Sequence, residues 1–230
     1  MNRSTRLVII LGISIGAAVS AWAGPYTIGT NVNVTETGNS PAEAVLINSP
    51  TLSSSTLDVY AGLTQLNVNG VVTESFCIDP YQWSSSSQQT YNVASLGSAP
   101  SPTGGMGATE ALIISNLWAE NYQAALGSAS IAAGLQIAIW EAVAKGTGIS
   151  FSLAQTNDWG ASTMLANATA AAKLSNVAPV SLVALSNATY QDYVVQNVPD
   201  SGMTLVLLGF GLASLAIVGR KARPVPVTTD

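Results

Sequence analysis

Residues 66–73 read Leu-Asn-Val-Asn-Gly-Val-Val-Thr and carry the sharpest local signal for the fold. Two runs of alternating residues flank Asn69-Gly70, a dipeptide typical of two-residue hairpin turns in which both central residues have positive φ. The same register, extended outward from the turn, places Gly62 directly opposite Cys77 on one face of the sheet. A glycine at this position is expected to leave space beside the cysteine sulfur.

Other parts of the chain also favour extended structure. Residues 26–34 and 45–68 are rich in Thr, Val, Asn and Ser, with short alternating runs that are typical of strands joined by polar turns. Residues 180–195 return to this pattern near the end of the chain. Residues 84–89 and 94–109 are rich in Ser, or in Pro and Gly, and are predicted to be loops.

Between these strand-like regions, apolar residues recur at helical spacing. Two helices are predicted between Thr109 and Lys145, with Thr109 as the N-cap of the first and Gly146 at the end of the second. An Ala-rich run over residues 162–174 predicts a third helix. The predicted fold class is therefore α+β, a β-sheet or sandwich with an inserted helical segment.

The first 23 residues have the layout of a signal peptide. Two arginines precede an apolar run over residues 7–19, which is too short for a comfortable membrane span. A small-x-small triplet at residues 21–23 fits a signal peptidase site, so the mature chain is expected to begin at Gly24. A signal anchor that stays uncleaved is the alternative.

A C-terminal transmembrane helix is predicted over residues 203–219, which carry no charge and are just long enough to cross a bilayer. The basic residues Arg220, Lys221 and Arg223 follow directly and mark the cytoplasmic side of the membrane. Residues 224–230 would then form a cytoplasmic tail. The alternative is a buried core helix of a soluble protein.

The predicted extracytoplasmic domain, residues 24–197, holds ten acidic side chains against two lysines. This acidic balance argues against nucleic acid as a partner and favours neutral, basic or carbohydrate partners.

The chain has no histidine, which removes the commonest general base and the Ser-His and Cys-His pairs. A carboxylate pair could still act in catalysis, but no spacing favours a particular pair. We therefore expect neither an enzyme nor a bound cofactor.

Cys77 is the only cysteine, so it cannot form an intramolecular disulfide. Three interpretations remain: a buried thiol acting as a small apolar side chain, an intermolecular disulfide, and a reactive thiol.

Gln136 is the second unusual residue, because its predicted helix is apolar on nearly every side. A buried primary amide must find hydrogen-bond partners or costs about 1 to 3 kcal/mol, and it ordinarily binds a nearby backbone group.

These two residues belong to motifs that resemble the thioester domains of bacterial surface adhesins. The motifs are Phe76-Cys77 on a strand and, later in the chain, Gln-x-Ala-hydrophobic-Trp at residues 136–140. In that family, cysteine and glutamine side chains condense with loss of ammonia, and a lysine amine can open the resulting thioester to leave an amide crosslink. The resemblance implies that Cys77 and Gln136 form this bond. Many members have threonine before the glutamine, where this chain has Leu135.

The end of the chain is similar to the VPDSG variant of the PEP-CTERM tails of Gram-negative, exopolysaccharide-producing bacteria. The motif residues are Val198, Pro199, Asp200, Ser201 and Gly202. The apolar stretch and the basic cluster follow in the same order, so the sorting tail covers residues 198–223. The resemblance implies that a membrane exosortase cuts near the motif and releases the protein or transfers it to the envelope. An uncleaved anchor is the alternative.

The exported protein is expected to be anchored first in the cytoplasmic membrane. It would then be placed in the envelope, on the outer surface or in the extracellular matrix. Three functions remain open for it. One is an adhesin or matrix protein whose thioester attaches to an amine-bearing surface or to the exopolysaccharide matrix. Another is a non-reactive structural protein of the same fold. The third is an exopolysaccharide-binding module, in which Trp83, Trp159 and the tyrosines would stack on sugars.

Overall fold

A computed structural model describes residues 25–101 and 103–197 of the 230-residue chain. The predicted signal peptide, sorting motif, transmembrane helix and basic cluster lie outside the described residues. The described part is a mixed α/β fold with one antiparallel sheet and three α-helices, which confirms the predicted class. Within these residues, no helix combines the length and apolar character needed to span a membrane.

The strands and helices follow the predicted order, with the helices inserted between strand-rich ends. The strands are β1 (Asn31–Asn48), β2 (Leu57–Val68), β3 (Val71–Cys77), β4 (Gln89–Ser95), β5 (Ser152–Leu153), β6 (Leu182–Ser186) and β7 (Tyr193–Gln196). The helices are α1 (Ala108–Ala125), α2 (Ala129–Thr147) and α3 (Ala161–Leu174), with a short 3₁₀ helix at Leu96–Ser98. Three strand regions were not expected from the sequence: β4, β5 and the middle of β1.

The predicted hairpin is confirmed. Asn69 and Gly70 connect β2 to β3 with φ values of 52° and 91°, so both central residues lie in the left-handed region. The pairing of β2 with β3 continues outward from this turn and ends at Thr64 and Ser75.

The expectation that Gly62 lies opposite Cys77 and leaves space beside its sulfur is wrong. The ladder between β2 and β3 ends at Thr64 and Ser75, so Gly62 and Cys77 are not paired. On the opposite edge of β2, Gly62 pairs with Ala42 of β1, next to a register shift in β1. A Cβ atom on Gly62 would overlap the Pro41 carbonyl oxygen, so β1 occupies the space that the glycine leaves.

Two predicted helix ends are also wrong. Gly107, not Thr109, is the N-cap of α1. The second helix, α2, continues past Gly146 and is capped by Gly148, whose φ of 69° is the left-handed conformation typical of this position. Gly146 lies inside the helix, where the backbone of Met106 packs against it and leaves no room for a side chain.

The strand pairings close into a ring in the order β2-β3-β7-β6-β4-β1, because β1 also pairs with β2. The length of β1 makes this possible: its first residues pair with β4, and most of the strand pairs with β2. Side chains alternate between the two faces, as β6 illustrates. Val183 and Leu185 join the apolar cluster enclosed by the strands, whereas Ala184 faces the cluster formed with the helices.

Helix α2 lies at the centre of the helical layer. It contacts α1 and α3 on its sides and strands β1, β2 and β3 below. Nearly every side chain from Ala132 to Val143 is therefore buried, as the apolar sequence of this helix indicates. A polar side chain on the sheet side of α2 must find its partners at the ends of these strands.

Candidate functional site

Cys77 and Gln136 meet where the end of β3 contacts the middle of α2. Both residues are buried, with exposed fractions of 3% and 1%. Gln136 Nε2 donates a hydrogen bond to the Cys77 carbonyl oxygen at 2.7 Å, and Gln136 Oε1 accepts one from the Cys77 N–H at 2.9 Å. The two residues predicted from the sequence are thus brought together, with the glutamine amide paired to the main chain of the cysteine.

The missing strand partner of Cys77 explains this pairing. Main-chain hydrogen bonds alternate along an antiparallel pair, and the next bonded pair after Thr64 and Ser75 would be Gly62 and Cys77. Because the β2–β3 ladder ends before this pair, the Cys77 N–H and C=O need another partner inside the core. The Gln136 amide provides one donor and one acceptor in the required arrangement.

Two N–H groups point at the cysteine sulfur. The Trp140 indole Nε1–H donates to Cys77 Sγ at 3.3 Å, and the Asp79 main-chain N–H donates to the same sulfur at 3.3 Å. Burial raises the pKa of the Cys77 thiol well above its usual value, and the Trp140 hydrogen bond opposes this rise. The neutral thiol is therefore the resting form, while both donors favour any negative charge that develops on sulfur.

Trp140 follows Gln136 by one helical turn, so both side chains project from the same face of α2. Its ring packs against Phe151 with centroids 5.8 Å apart and is 3% exposed. Leu135, which stands where many thioester domains have threonine, is fully buried and has no side-chain hydrogen-bonding group. The hydrogen bonds to the Gln136 amide come from Cys77 instead.

A cavity of about 240 Å³ adjoins the pair, and Cys77, Gln136 and Trp140 form part of its wall. It lies where β1, β2 and the segment after β3 come together.

The remaining lining of this cavity is mostly neutral polar and aliphatic, with two acids and two exposed aromatic residues among it. Glu36 and the exposed Asp58 contribute carboxylates, and Gln82 contributes a buried Oε1 that has no hydrogen-bond partner among the described residues. Tyr60 and Trp83 also line it, with exposed fractions of 68% and 56%. Such a lining suits a ligand with a positively charged or hydrogen-bond-donating head group.

Two buried acids lie next to the pair, and the sequence did not single them out. Asp79 follows Cys77 by two residues and Asp192 directly precedes β7; neither has any solvent exposure. Burial, and secondarily the charge of Asp192, raises the pKa of Asp79 from 3.8 to about 7. Burial raises the pKa of Asp192 to about 6, opposed by its hydrogen bonds.

The hydrogen bonding of the two acids differs. Asp192 accepts bonds from the N–H groups of Asn187 and Ser101 and from the Ser186 hydroxyl. Asp79 Oδ1 accepts one bond from the Tyr81 N–H at 3.0 Å, but the buried Oδ2 has no partner among the described residues. The main-chain N–H groups of Gln82 and Asp192 also oppose the rise in the pKa of this carboxyl group, but neither makes a hydrogen bond of good geometry to Oδ2.

The two tryptophans suggested for sugar binding do not occupy equivalent places. Trp83 lines the cavity beside Cys77, whereas Trp159 is partly buried against the helical core and its carbonyl packs on Gly134 of α2. Within residues 25–101 and 103–197, no three acidic or cysteine side chains are grouped so that they could hold a metal ion.

The fold and the site define a mixed α/β domain with a buried cysteine–glutamine pair beside a small acidic cavity. Comparisons with protein-family models, curated proteins and solved structures find no match for the chain. The function of this site is therefore inferred from its geometry and its residues.

Proposed function

We propose that this chain is an exported surface protein in which Cys77 and Gln136 condense to an internal thioester that attaches covalently to amines. The supporting observation is the pair of hydrogen bonds between the Gln136 amide and the Cys77 main chain. They hold the amide against the residue that carries the sulfur. We infer an adhesin or matrix protein rather than an enzyme.

In the bond-forming step, Cys77 Sγ attacks the Gln136 amide carbon. The S–C bond forms, the C–N bond breaks, and the nitrogen leaves as ammonia with the proton of the thiol. Negative charge develops on Oε1 during this attack, and the Cys77 N–H already donates to that atom at 2.9 Å. A fixed donor at such an oxygen lowers the barrier to acyl transfer.

In the attachment step, an unprotonated primary amine attacks the same carbon. A C–N bond forms, the C–S bond breaks, and a proton passes from the nitrogen to the departing sulfur. The two N–H donors on Sγ stabilise the departing thiolate. The products are an amide crosslink through Gln136 and a free Cys77 thiol.

The cavity supports an amine as the reaction partner. Glu36 and Asp58 give its lining negative charge, which raises the local concentration of cationic amines. The buried indole of Trp140 and the apolar residues of α2 keep bulk water away from the pair, which would slow hydrolysis of a thioester.

Export and sorting complete the proposal and rest on the sequence at both ends. Signal peptidase would remove residues 1–23, the helix at 203–219 would hold the chain in the cytoplasmic membrane, and an exosortase would act near Val198. The domain of residues 24–197 lies between the proposed signal peptide and the proposed sorting tail. Tyr26 and Asn197 join the two ends of the domain, because the Asn197 side chain exchanges two hydrogen bonds with the Tyr26 main chain at 3.1 and 3.0 Å.

A second candidate is an exopolysaccharide-binding domain, and one observation favours it. Tyr60 and Trp83 are exposed aromatic side chains on the same cavity, an arrangement that can stack on a sugar ring. Retention on immobilised exopolysaccharide that is lost in Trp83→Ala, together with an unreactive Cys77–Gln136 pair, would favour this function.

Capture of a labelled amine tests the leading proposal. The mature protein is incubated with biotin-cadaverine and analysed under denaturing conditions, beside Cys77→Ala and Gln136→Glu. We expect label that survives denaturation in the wild-type protein and none in either variant. An unlabelled wild-type protein whose Cys77 is alkylated stoichiometrically would contradict the proposal.

A further inference from the structure

Asp79, two residues after Cys77, presents a buried carboxylate oxygen with no hydrogen-bond partner among the described residues. Its main-chain N–H donates to Cys77 Sγ at 3.3 Å, and its carboxylate charge acts on the thiol. Oδ1 is held by the Tyr81 N–H at 3.0 Å, whereas Oδ2 is buried and free. A buried polar atom without a partner is unfavourable, so its presence at this place calls for a chemical explanation.

Condensation of a thiol with an amide requires a proton to move. The thiol must lose its proton to become a good nucleophile, and the amide nitrogen must gain one to leave as ammonia. The chain has no histidine to do this. The charges of two carboxylates, Asp79 and Glu36, act on the Cys77 thiol. Glu36 already accepts bonds at both oxygens, from Asn39 and Tyr193, which leaves Asp79 Oδ2 as the free acceptor.

We propose that the Asp79 carboxylate carries the proton of the Cys77 thiol to the departing nitrogen of Gln136 when the thioester forms. Oδ2 accepts the proton as Sγ bonds to the amide carbon. The same proton then passes to Nε2 as the C–N bond breaks, so ammonia leaves and Asp79 returns to its ionised form. This role rests on the proposed thioester and assigns the residue that moves the proton.

The environment of Asp79 suits both halves of this transfer. Burial and the neighbouring charge of Asp192 raise the pKa of Asp79 to about 7, so the carboxyl group can accept and release a proton near neutral pH. A carboxylate with an ordinary pKa would be a much weaker base towards a thiol whose own pKa is raised by burial.

Asp79→Asn tests the assignment because it changes the acid–base chemistry and little else. The main-chain N–H to Sγ remains, and the asparagine carbonyl can still accept from the Tyr81 N–H. The full-length protein is purified at successive times after induction, and the fraction that lacks the mass of one ammonia is followed for wild type, Asp79→Asn and Asp79→Glu. Glu120→Gln, at an exposed acid on α1, is the matched control, because it removes a carboxylate far from the proposed bond.

We expect the thioester to form at least roughly 100-fold more slowly in Asp79→Asn, with partial recovery in Asp79→Glu and a wild-type rate in Glu120→Gln. Thermal unfolding of the same samples should show that Asp79→Asn is folded, since it removes a buried charge beside Asp192. If it does not fold, Asp79→Ser takes its place in the comparison. A wild-type rate in the folded variant would overturn the role of Asp79 alone, whereas a wild-type protein at full mass would overturn the thioester and this role together.

Discussion

The side-chain amide of Gln136 takes the place of a strand neighbour of Cys77. It donates to the cysteine carbonyl at 2.7 Å and accepts from its N–H at 2.9 Å. Gly62 would supply both bonds if the β2–β3 ladder continued, but the ladder ends at Thr64 and Ser75. The packing of α2 on the sheet and the candidate thioester site therefore depend on the same two hydrogen bonds.

Removal of the Gln136 amide should destabilise the fold. In a Cys77→Ala background, where no thioester can form, Gln136→Ala leaves the buried N–H and C=O of residue 77 without partners, at a cost of about 1 to 3 kcal/mol for each group. We expect the free energy of unfolding in urea to fall by about 2 to 5 kcal/mol. Gln88→Ala, at an exposed glutamine, is the control and should change it little. Equal stability of the two variants would contradict the structural role of the amide.

The indole N–H of Trp140 should speed the opening of the thioester. Trp140→Phe keeps an aromatic ring but removes one donor from the departing sulfur. A hydrogen bond to a charged group contributes about 1.5 to 3 kcal/mol, so methylamine should react roughly 10- to 100-fold more slowly.

Trp118→Phe is the matched control for this effect. The Trp118 Nε1–H is buried and has no partner among the described residues, so its removal breaks no hydrogen bond. The rate of opening should stay within about twofold of wild type. A similar slowing in both tryptophan variants would indicate a general packing effect rather than stabilisation of the sulfur.

The acidic cavity should favour cationic amines over neutral nucleophiles. The double variant Glu36→Gln, Asp58→Asn removes both carboxylates from the lining. We expect several-fold slower reaction with a diamine at low salt, a smaller dependence on ionic strength, and an unchanged rate with neutral hydroxylamine.

Glu120→Gln, at an exposed acid on α1, controls for the loss of net charge. It should leave the rates with the diamine and with hydroxylamine unchanged. Equal slowing by the control and the double variant would show that the cavity itself does not select the amine.

Stability should depend on pH through Asp79. Its pKa is raised from 3.8 to about 7 in the folded protein, mainly by burial, so the folded state holds a proton that the unfolded state releases over this interval. The free energy of unfolding should therefore be highest below pH 4 for this group and fall as the pH rises to 7.

Urea midpoints measured between pH 4 and 7 check this dependence. Asp79→Asn should flatten the profile, leaving the smaller fall due to Asp192, whose pKa is raised to about 6. A profile in Asp79→Asn as steep as that of wild type would contradict the assigned pKa.

Local signals in the sequence predicted much of the fold. Asn69-Gly70 determines a turn with its own backbone preferences, and the Ala-rich run predicted α3 almost to its ends, Ala161 and Leu174. Strand β4 was missed although Tyr91 and Val93 alternate with polar residues, because the run is short and adjoins two loops. Short strands depend on their neighbours more than on their own sequence.

The parts of the site that the sequence did not predict depend on contacts between distant residues. The ladder between β2 and β3 stops before Gly62 and Cys77, which no feature of the hairpin itself indicates. The proximity of Asp79 to Asp192 depends on the pairing of β3 with β7. The motifs could suggest Cys77 and Gln136 as partners, but only the folded chain explains why the amide meets the cysteine main chain.

The intact mass of the mature protein, measured before and after methylamine treatment with Cys77→Ala as the control, tests the central proposal most directly. The proposal predicts a deficit of one ammonia in the wild-type protein, its replacement by an added methylamine after treatment, and no deficit in the variant. A wild-type protein at full mass with a freely alkylated Cys77 would contradict the thioester and leave a buried cysteine–glutamine pair with a structural role.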